Sequence, residues 1–445
     1  MAKEKHPNAL YALFFTEMWE RFGFYSMLAI FTLYMVEPIT GSFGGGLGFT
    51  KGKASQIYGL YIGLVYFTPI IGGIVADRFF GYVKTIFMGG LFMMGGYFLL
   101  SIKSVPTFYG GLLAIILGNG LFKPNISTMV GHVYADKPHL KDAGFNIFYM
   151  GINIGAVFSP LAASFVKTTF NWNYAFATAG VGMAVSLVIL LATRKITAAG
   201  DTVMADRAAQ KANAGKGEKT ASIEPEKEPG EKLRIQALFI IYVVVIVFWM
   251  AFHQNGLTLN FWAKNNTLPL LGISFAKQAE LTQAINPFFV VFHTLFVIVP
   301  FWAWLQRRGK EPSTPTKMMV GMMLTGAAYG LMATASLLGG DHGKVSAYWL
   351  ISTYSTITLG ELCLSPMGLS VVSKLAPKRS SGTYMGLWFV STATGSYLAG
   401  AVGSIWDKVS HSTFFLMLVA SSIVAAFILR LVLRRLEAAL DIVSA

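Results

Sequence analysis

The sequence is poor in charge. Only 13% of its 445 residues are Asp, Glu, Lys or Arg, and 54% are hydrophobic, whereas an average soluble domain carries about 25% charged residues. That balance excludes a soluble globule of this size. There is a single cysteine, Cys363, which excludes any intrachain disulfide. The seven histidines are scattered, so no cluster has metal-ligand spacing. The turns between apolar runs are too short for a catalytic loop, and the chain therefore reads as no enzyme, with no metal and no cofactor. No cleavable signal is expected either, because the tail before Asn8 leads straight into an apolar run broken by Glu17 and Glu20.

The charge that is present is unevenly placed. Residues 196–232 hold 13 of the 56 charged side chains in 37 positions, and the other 408 residues share 43. Those 408 divide into about a dozen pieces, each enough for a span of about 20 to 25 apolar residues and a turn. The apolar runs lie near 9–37, 53–76, 82–101, 105–130, 142–169, 173–194, 234–263, 280–306, 316–339, 346–374, 381–406 and 411–436. The expected fold is all-α and integral to a membrane, with twelve transmembrane helices in two six-helix bundles, 1–195 and 233–445. Residues 196–232, almost free of large apolar side chains, form a charged tether between them. Six spans plus six around a linker is the layout of the major facilitator fold.

A net charge of +14 suggests nucleic acid only until its placement is read. Of the 35 Lys and Arg, 25 fall in the tails and in one set of turns and eight in the opposite set, with Arg21 and Lys123 inside spans. This is the positive-inside signature. It puts both termini and the tether in the cytoplasm of a multi-pass protein of the cell membrane, and excludes nucleic acid as partner in favour of lipid.

Small residues four apart, Gly59/Gly63, Gly151/Gly155 and Gly326/Gly330, read as close helix approaches. Asp77 and Arg78, in a glycine-flanked turn after the second run, fit either a gate that favours one conformation or a capped, solvated turn.

Charges inside spans carry more information, since each costs about 2.5 to 3.5 kcal/mol even on the lenient insertion scale. Glu17, Glu20 and Arg21 lie about 12 to 18 Å along the first span, near the middle of a core about 30 Å thick. Their i, i+3, i+4 spacing puts them on one face, which must line a polar cavity or meet other charges. Two carboxylates and one guanidinium leave a surplus negative charge for a proton or another cation to neutralise. Lys123, followed by the helix-loosening Pro124, supplies a cation within the fourth span. If it faces the acids, protonating one carboxylate releases a basic group, which is a proton-driven switch. The competing reading is a buried ion network that only locks helices together.

Glu361 in the tenth span has no partner in its own helix and is suited to meet an ammonium group or to titrate. His293 reads as a hydrogen-bonded packing residue, and for His253, beside Gln254 and Asn255, packing and titration are both open. Cations on one bundle and an acid on the other would orient a zwitterion, its carboxylate toward Arg21 and Lys123, its ammonium toward Glu361, with Asn153 and Asn286 between. From these residues alone the chain is a proton-linked transporter of a zwitterion or anion.

Three motifs then resemble one family, the proton-dependent oligopeptide transporters of the major facilitator superfamily. Glu17-Met-Trp-Glu20-Arg21-Phe22-Gly-Phe24-Tyr25 resembles its first-helix motif, and Phe148-Tyr149-Met-Gly-Ile152-Asn153-Ile-Gly155-Ala156 its fifth-helix signature. Gly360-Glu361-Leu-Cys-Leu-Ser365-Pro366-Met-Gly368, followed by Lys374-Leu-Ala-Pro377, resembles the tenth. The resemblance implies proton-coupled import of di- and tripeptides by alternating access. It implies that Arg21 and Lys123 bind the peptide carboxylate and couple it to protons, with Glu17 and Glu20 as proton-linked partners and Glu361 at the peptide amino terminus. Tyr25, Tyr66, Asn153, Trp249, Asn286 and Trp388 fall where members line the peptide pocket. Another solute, such as nitrate or a peptide-like drug, is the alternative, and Glu361 argues against a purely anionic one.

Four positions depart from the family pattern. Phe24 stands in place of a tyrosine. Leu28 and His253 stand where many members pair an Arg with a Glu; both halves of that bridge are missing together, so no buried charge is stranded. Gly59 stands where animal members carry a proton-coupling His. His253 is therefore added to the proton-coupling candidates.

Overall fold

In lipid every backbone N–H and C=O must be satisfied within the segment itself, so long apolar runs can only become helices. The computed structural model describes residues 5–201, 230–377 and 381–444 and bears this out. Twelve helices follow the twelve apolar runs: α1 Asn8–Val36, α2 Lys51–Phe67, α3 Tyr82–Leu100, α4 Val105–His132, α5 Lys141–Thr169 and α6 Trp172–Ala192, then α7 Glu231–Phe252, α8 Ile285–His293, α9 Thr314–Gly339, α10 Ala347–Leu375, α11 Ser381–Gly403 and α12 His411–Ser444. The described residues contain no β-strand, only two isolated bridges. Among the described residues, ten helical stretches are long and apolar enough to cross a membrane. The other two are α1, weighed down by Glu17, Glu20 and Arg21, and α11, rich in Gly, Ser and Thr.

Three spans are less regular than expected. After α2 the chain continues as Pro69–Val75 and a π-helical turn, Ala76–Phe80. The seventh span, expected to run unbroken from 234 to 263, stops at Phe252, tightens into a 3₁₀ turn over His253–Gly256, breaks at Leu257 (φ −115°, ψ −98°) and resumes as Thr258–Asn266. The eighth begins earlier than expected, with Phe275–Gln278 and a 3₁₀ stretch Ala279–Ala284, and carries a π-helical turn at Thr294–Ile298. The break in the seventh leaves the Asn255 carbonyl without a helical partner, and side chains replace it: Gln283 Nε2 donates to it at 2.9 Å and Tyr354 Oη at 3.3 Å.

The chain forms two compact units, Met1–Leu47 with Leu64–Glu224, and Gly48–Gly63 with Pro225–Ala445. The first part of α2 thus belongs with the second unit, although its sequence position is in the N-terminal half. Small residues explain this grouping. A Cβ on Gly59 would lie 2.6 Å from Gly400 Cα, and one on Gly63 3.1 Å from the Ala393 carbonyl, so α2 meets α11 backbone to backbone. Gly151 and Gly155 bring α5 against α1 in the same way, at Phe14 and at the Met18 carbonyl. The third pair splits: Gly326 packs against Ile423, but Gly330 faces open space.

Of the expected tether 196–232, residues 202–229 lie outside the described residues. Its first residues are held by the first unit. Asp201 accepts from the backbone N–H of Tyr82 (2.8 Å) and Val83 (3.1 Å), satisfying two orphan donors at the start of α3 and placing an anion on the positive end of that helix.

Candidate functional site

In the first unit the charged residues of α1 meet as their spacing requires. Arg21 donates to both oxygens of Glu20, through Nε to Oε2 and through Nη2 to Oε1 at 2.6 Å. Its Nε also lies 3.3 Å from Glu17 Oε1, one helical turn back. All three side chains are buried, Glu20 completely. One guanidinium thus serves two carboxylates, and Glu17 Oε2 has no hydrogen-bond partner among the described residues.

The second cation comes from α4. The Lys123 ammonium lies 4.9 Å from the centre of the Tyr66 ring and interacts electrostatically with Glu17, Glu20 and Arg21. The cluster therefore holds two acids and two bases, the condition for the switch stated above. Tyr25 interacts electrostatically with Arg21, so Glu17, Glu20, Arg21, Tyr25, Tyr66 and Lys123 form one constellation. Asn153 sits on α5, two residues before the Gly155 contact with α1, and its Nδ2 donates to the Tyr149 carbonyl of its own helix. Phe24 has a positive role where the family pattern has a hydroxyl: the Arg21 guanidinium carbon is 4.9 Å from its ring centre, a cation–π contact in a desolvated place.

In the second unit Glu361 gains the partner that its own helix does not supply. Asn286 Nδ2 donates to Glu361 Oε2 at 3.0 Å and to Thr358 Oγ1 at 2.8 Å. Tyr354, Thr358 and Glu361 are spaced i, i+4, i+7 along one face of α10. Tyr354 and Gln283 join this face to the break in the seventh span, with Asn260 and Thr282 in the same buried network. None of these four was singled out from the sequence. The available signal was spacing: Gln283 is three residues before Asn286, and Tyr354 seven before Glu361.

Trp388 of α11 lies against Gly368 of α10, two turns along from Glu361, where a Cβ would run into the indole ring. Trp249 packs on Gly395 and stacks with His253, ring centres 5.4 Å apart and planes at 26°. His253 also meets the edge of Phe252. His293 fits its packing role, with Nε2 3.0 Å from Ser355 Oγ and its ring stacked on Phe289. Asp77 Oδ1 accepts from Tyr82 Oη at 3.1 Å, within its own turn, and Arg78 is exposed beside it. Gly59 cannot be exchanged for His in this packing, since Gly400 occupies the space. The described residues contain no group of three or more His, Cys, Asp or Glu placed to hold a metal.

Known proteins match this chain over nearly its whole length. The model of the POT family matches residues 83–205 and 202–423. The uncharacterized transporter YclF of Bacillus subtilis (strain 168) is 34% identical over 96% of this chain and 93% of its own length. A di-/tripeptide transporter of Lactococcus lactis subsp. cremoris is 31% identical over 96% and 95%. A crystal structure of peptide transporter POT in complex with sulfate superposes with a TM-score of 0.86 at 32% identity, covering 98% of this chain and 96% of the other.

Proposed function

We propose that this chain, which belongs to the POT family, is a symporter that imports di- and tripeptides together with protons by alternating access. Relatives carrying the name di-/tripeptide transporter support the substrate class. The observation that carries the coupling is the Arg21 guanidinium bound to both oxygens of Glu20 and shared with Glu17, with Lys123 within electrostatic reach. In the absence of peptide these carboxylates hold Arg21. A proton on one of them weakens that hold, and the freed guanidinium, with Lys123, takes the peptide carboxylate. Charge is conserved locally: the added proton is balanced by the incoming carboxylate, so no net charge is stranded in a buried place.

Glu361, oriented by Asn286, takes the peptide ammonium. Tyr25, Tyr66 and Asn153 in the first unit and Trp249 and Trp388 in the second are assigned to the peptide backbone and side chains, His253 to the pH dependence, and Asp77 and Arg78 to gating. In the same reading both termini face the cytoplasm of a bacterial cell, the protein lies in its lipid membrane, protons are the coupling ion and no cofactor is required.

Uptake of labelled dialanine into proteoliposomes under an inward proton gradient tests this. Concentrative uptake that collapses with the gradient is expected. A folded preparation that takes up none of several dipeptides would overturn the peptide reading.

A further inference from the structure

Asn119 of α4 is fully buried, and neither Nδ2 nor Oδ1 has a hydrogen-bond partner among the described residues. A primary amide with both ends unpaired inside a membrane helix bundle is costly and calls for a reason. Its neighbours supply one.

Two contacts fix the register of α4 against α1. The Phe108 ring stacks on Phe31 at 5.9 Å, and Lys123 interacts with Glu17. The first and fourth spans run in opposite directions, so the residue numbers of facing positions add to a nearly constant value. Position 119 is therefore level with Glu20 and Arg21. At 100° per residue, Asn119 falls on the arc between Phe108 and Lys123, the arc turned toward α1. The neighbouring arc is taken by α3, where Gly118 meets Met93. Asn119 and Glu20 are thus two buried polar groups at one depth on facing helices, Glu20 committed to Arg21 and Asn119 to nothing among the described residues.

We infer that Asn119 is a positioning residue for the protonated form of Glu20. The inference rests on the coupling role proposed above for the α1 cluster. When Glu20 accepts a proton and Arg21 leaves, its carboxyl presents one O–H donor and one carbonyl acceptor in a place without access to water. A primary amide is the complement of that pair: Nδ2–H donates to the carbonyl oxygen, and the carboxyl O–H donates to Oδ1. The proton comes from outside, the Arg21 guanidinium keeps its charge, and no other proton moves. In the structure both Glu20 oxygens accept from Arg21, and the Asn119 amide has no partner among the described residues.

The charged and titratable groups around this pair are few. Among the described residues they include Glu17, Arg21 and Tyr25 on α1 and Lys123 on α4, which interact within the cluster, Tyr66 of α2 against Lys123 and Tyr97 of α3 beside Gly23. The sequence of α6 carries no charged residue, and that of α5 none between Asp142 and Lys167.

The sign follows from the chemistry. Asn119 stabilises the protonated carboxyl, so its removal lowers the pH at which Glu20 takes up its proton. In proteoliposomes, proton-driven dialanine uptake by Asn119→Leu is expected to need external pH about one to two units lower than wild type, the roughly 10- to 100-fold effect of two lost hydrogen bonds. Peptide counterflow exchange at low pH should be retained. Asn119→Gln, which keeps both amide groups, should stay close to the wild-type profile.

A second readout is independent of transport. On acidification, the carboxyl C=O stretch that disappears in Glu20→Gln should move to higher frequency in Asn119→Leu. Coincident pH profiles and an unmoved carboxyl band in Asn119→Leu would overturn the assignment, as would Leu and Gln variants equally impaired in exchange. Wild-type uptake without any pH dependence would instead overturn the coupling reading itself, so the two failures are distinguishable.

Discussion

Single side chains decide whether the site couples or merely holds together. Lys123 has no carboxylate bound to it as tightly as Glu20 is bound to Arg21; its contact is the face of Tyr66. It is therefore available to a substrate carboxylate without first breaking an ion pair. Lys123→Ala is expected to abolish proton-driven uptake and to leave part of the downhill counterflow. Full proton-driven uptake in that variant would take Lys123 out of the mechanism. Glu361→Gln keeps a group that Asn286 can hydrogen-bond but removes the charge. Loss of a charge-assisted bond of about 1.5 to 3 kcal/mol raises KM for dialanine roughly 10- to 150-fold. An unchanged KM would remove Glu361 from recognition of the amino terminus. Gln at position 253 is expected to shift the pH profile of uptake, and an unchanged profile would make His253 a packing residue on Trp249. These candidates stood out in the sequence because ionisable side chains are so rare inside the spans. Asn119 was not: an uncharged amide among glycines, Gly118-Asn119-Gly120, is marked only by burial without a partner.

At the scale of elements, hydropathy predicted where helices lie and not where they break. The seventh span reads as one apolar run because His253–Gly256 is short against its flanks, and the break appears only through the groups that satisfy it. Gln283 and Tyr354 come from two other spans to serve the Asn255 carbonyl, a long-range arrangement with no local signature. The beginning of α3 shows the same limit. Asp201 belongs by composition to a charged tether, yet it caps a helix more than a hundred residues earlier. Replacing it with Ala is expected to cost about 0.5 to 2 kcal/mol, as for other lost N-caps. Thermal unfolding of the purified variant should show a lowered midpoint with peptide KM unchanged, and an unaltered midpoint would show that the cap contributes nothing.

For the whole molecule, the +14 charge, its sidedness and twelve apolar runs were enough to identify a polytopic helical membrane protein. The grouping of Gly48–Gly63 with the second unit was out of reach, since it depends on Gly59 meeting Gly400, a coincidence of two glycines 341 positions apart in the chain. The central claim is that a proton gradient drives peptide uptake through the α1 cluster. It is tested most directly by labelled dialanine uptake into proteoliposomes with and without an inward proton gradient, for wild type beside Glu20→Gln. The account predicts accumulation above equilibrium in the wild type only with the gradient, and equilibration without gradient-dependent accumulation in the variant. Equal accumulation by both proteins would contradict it.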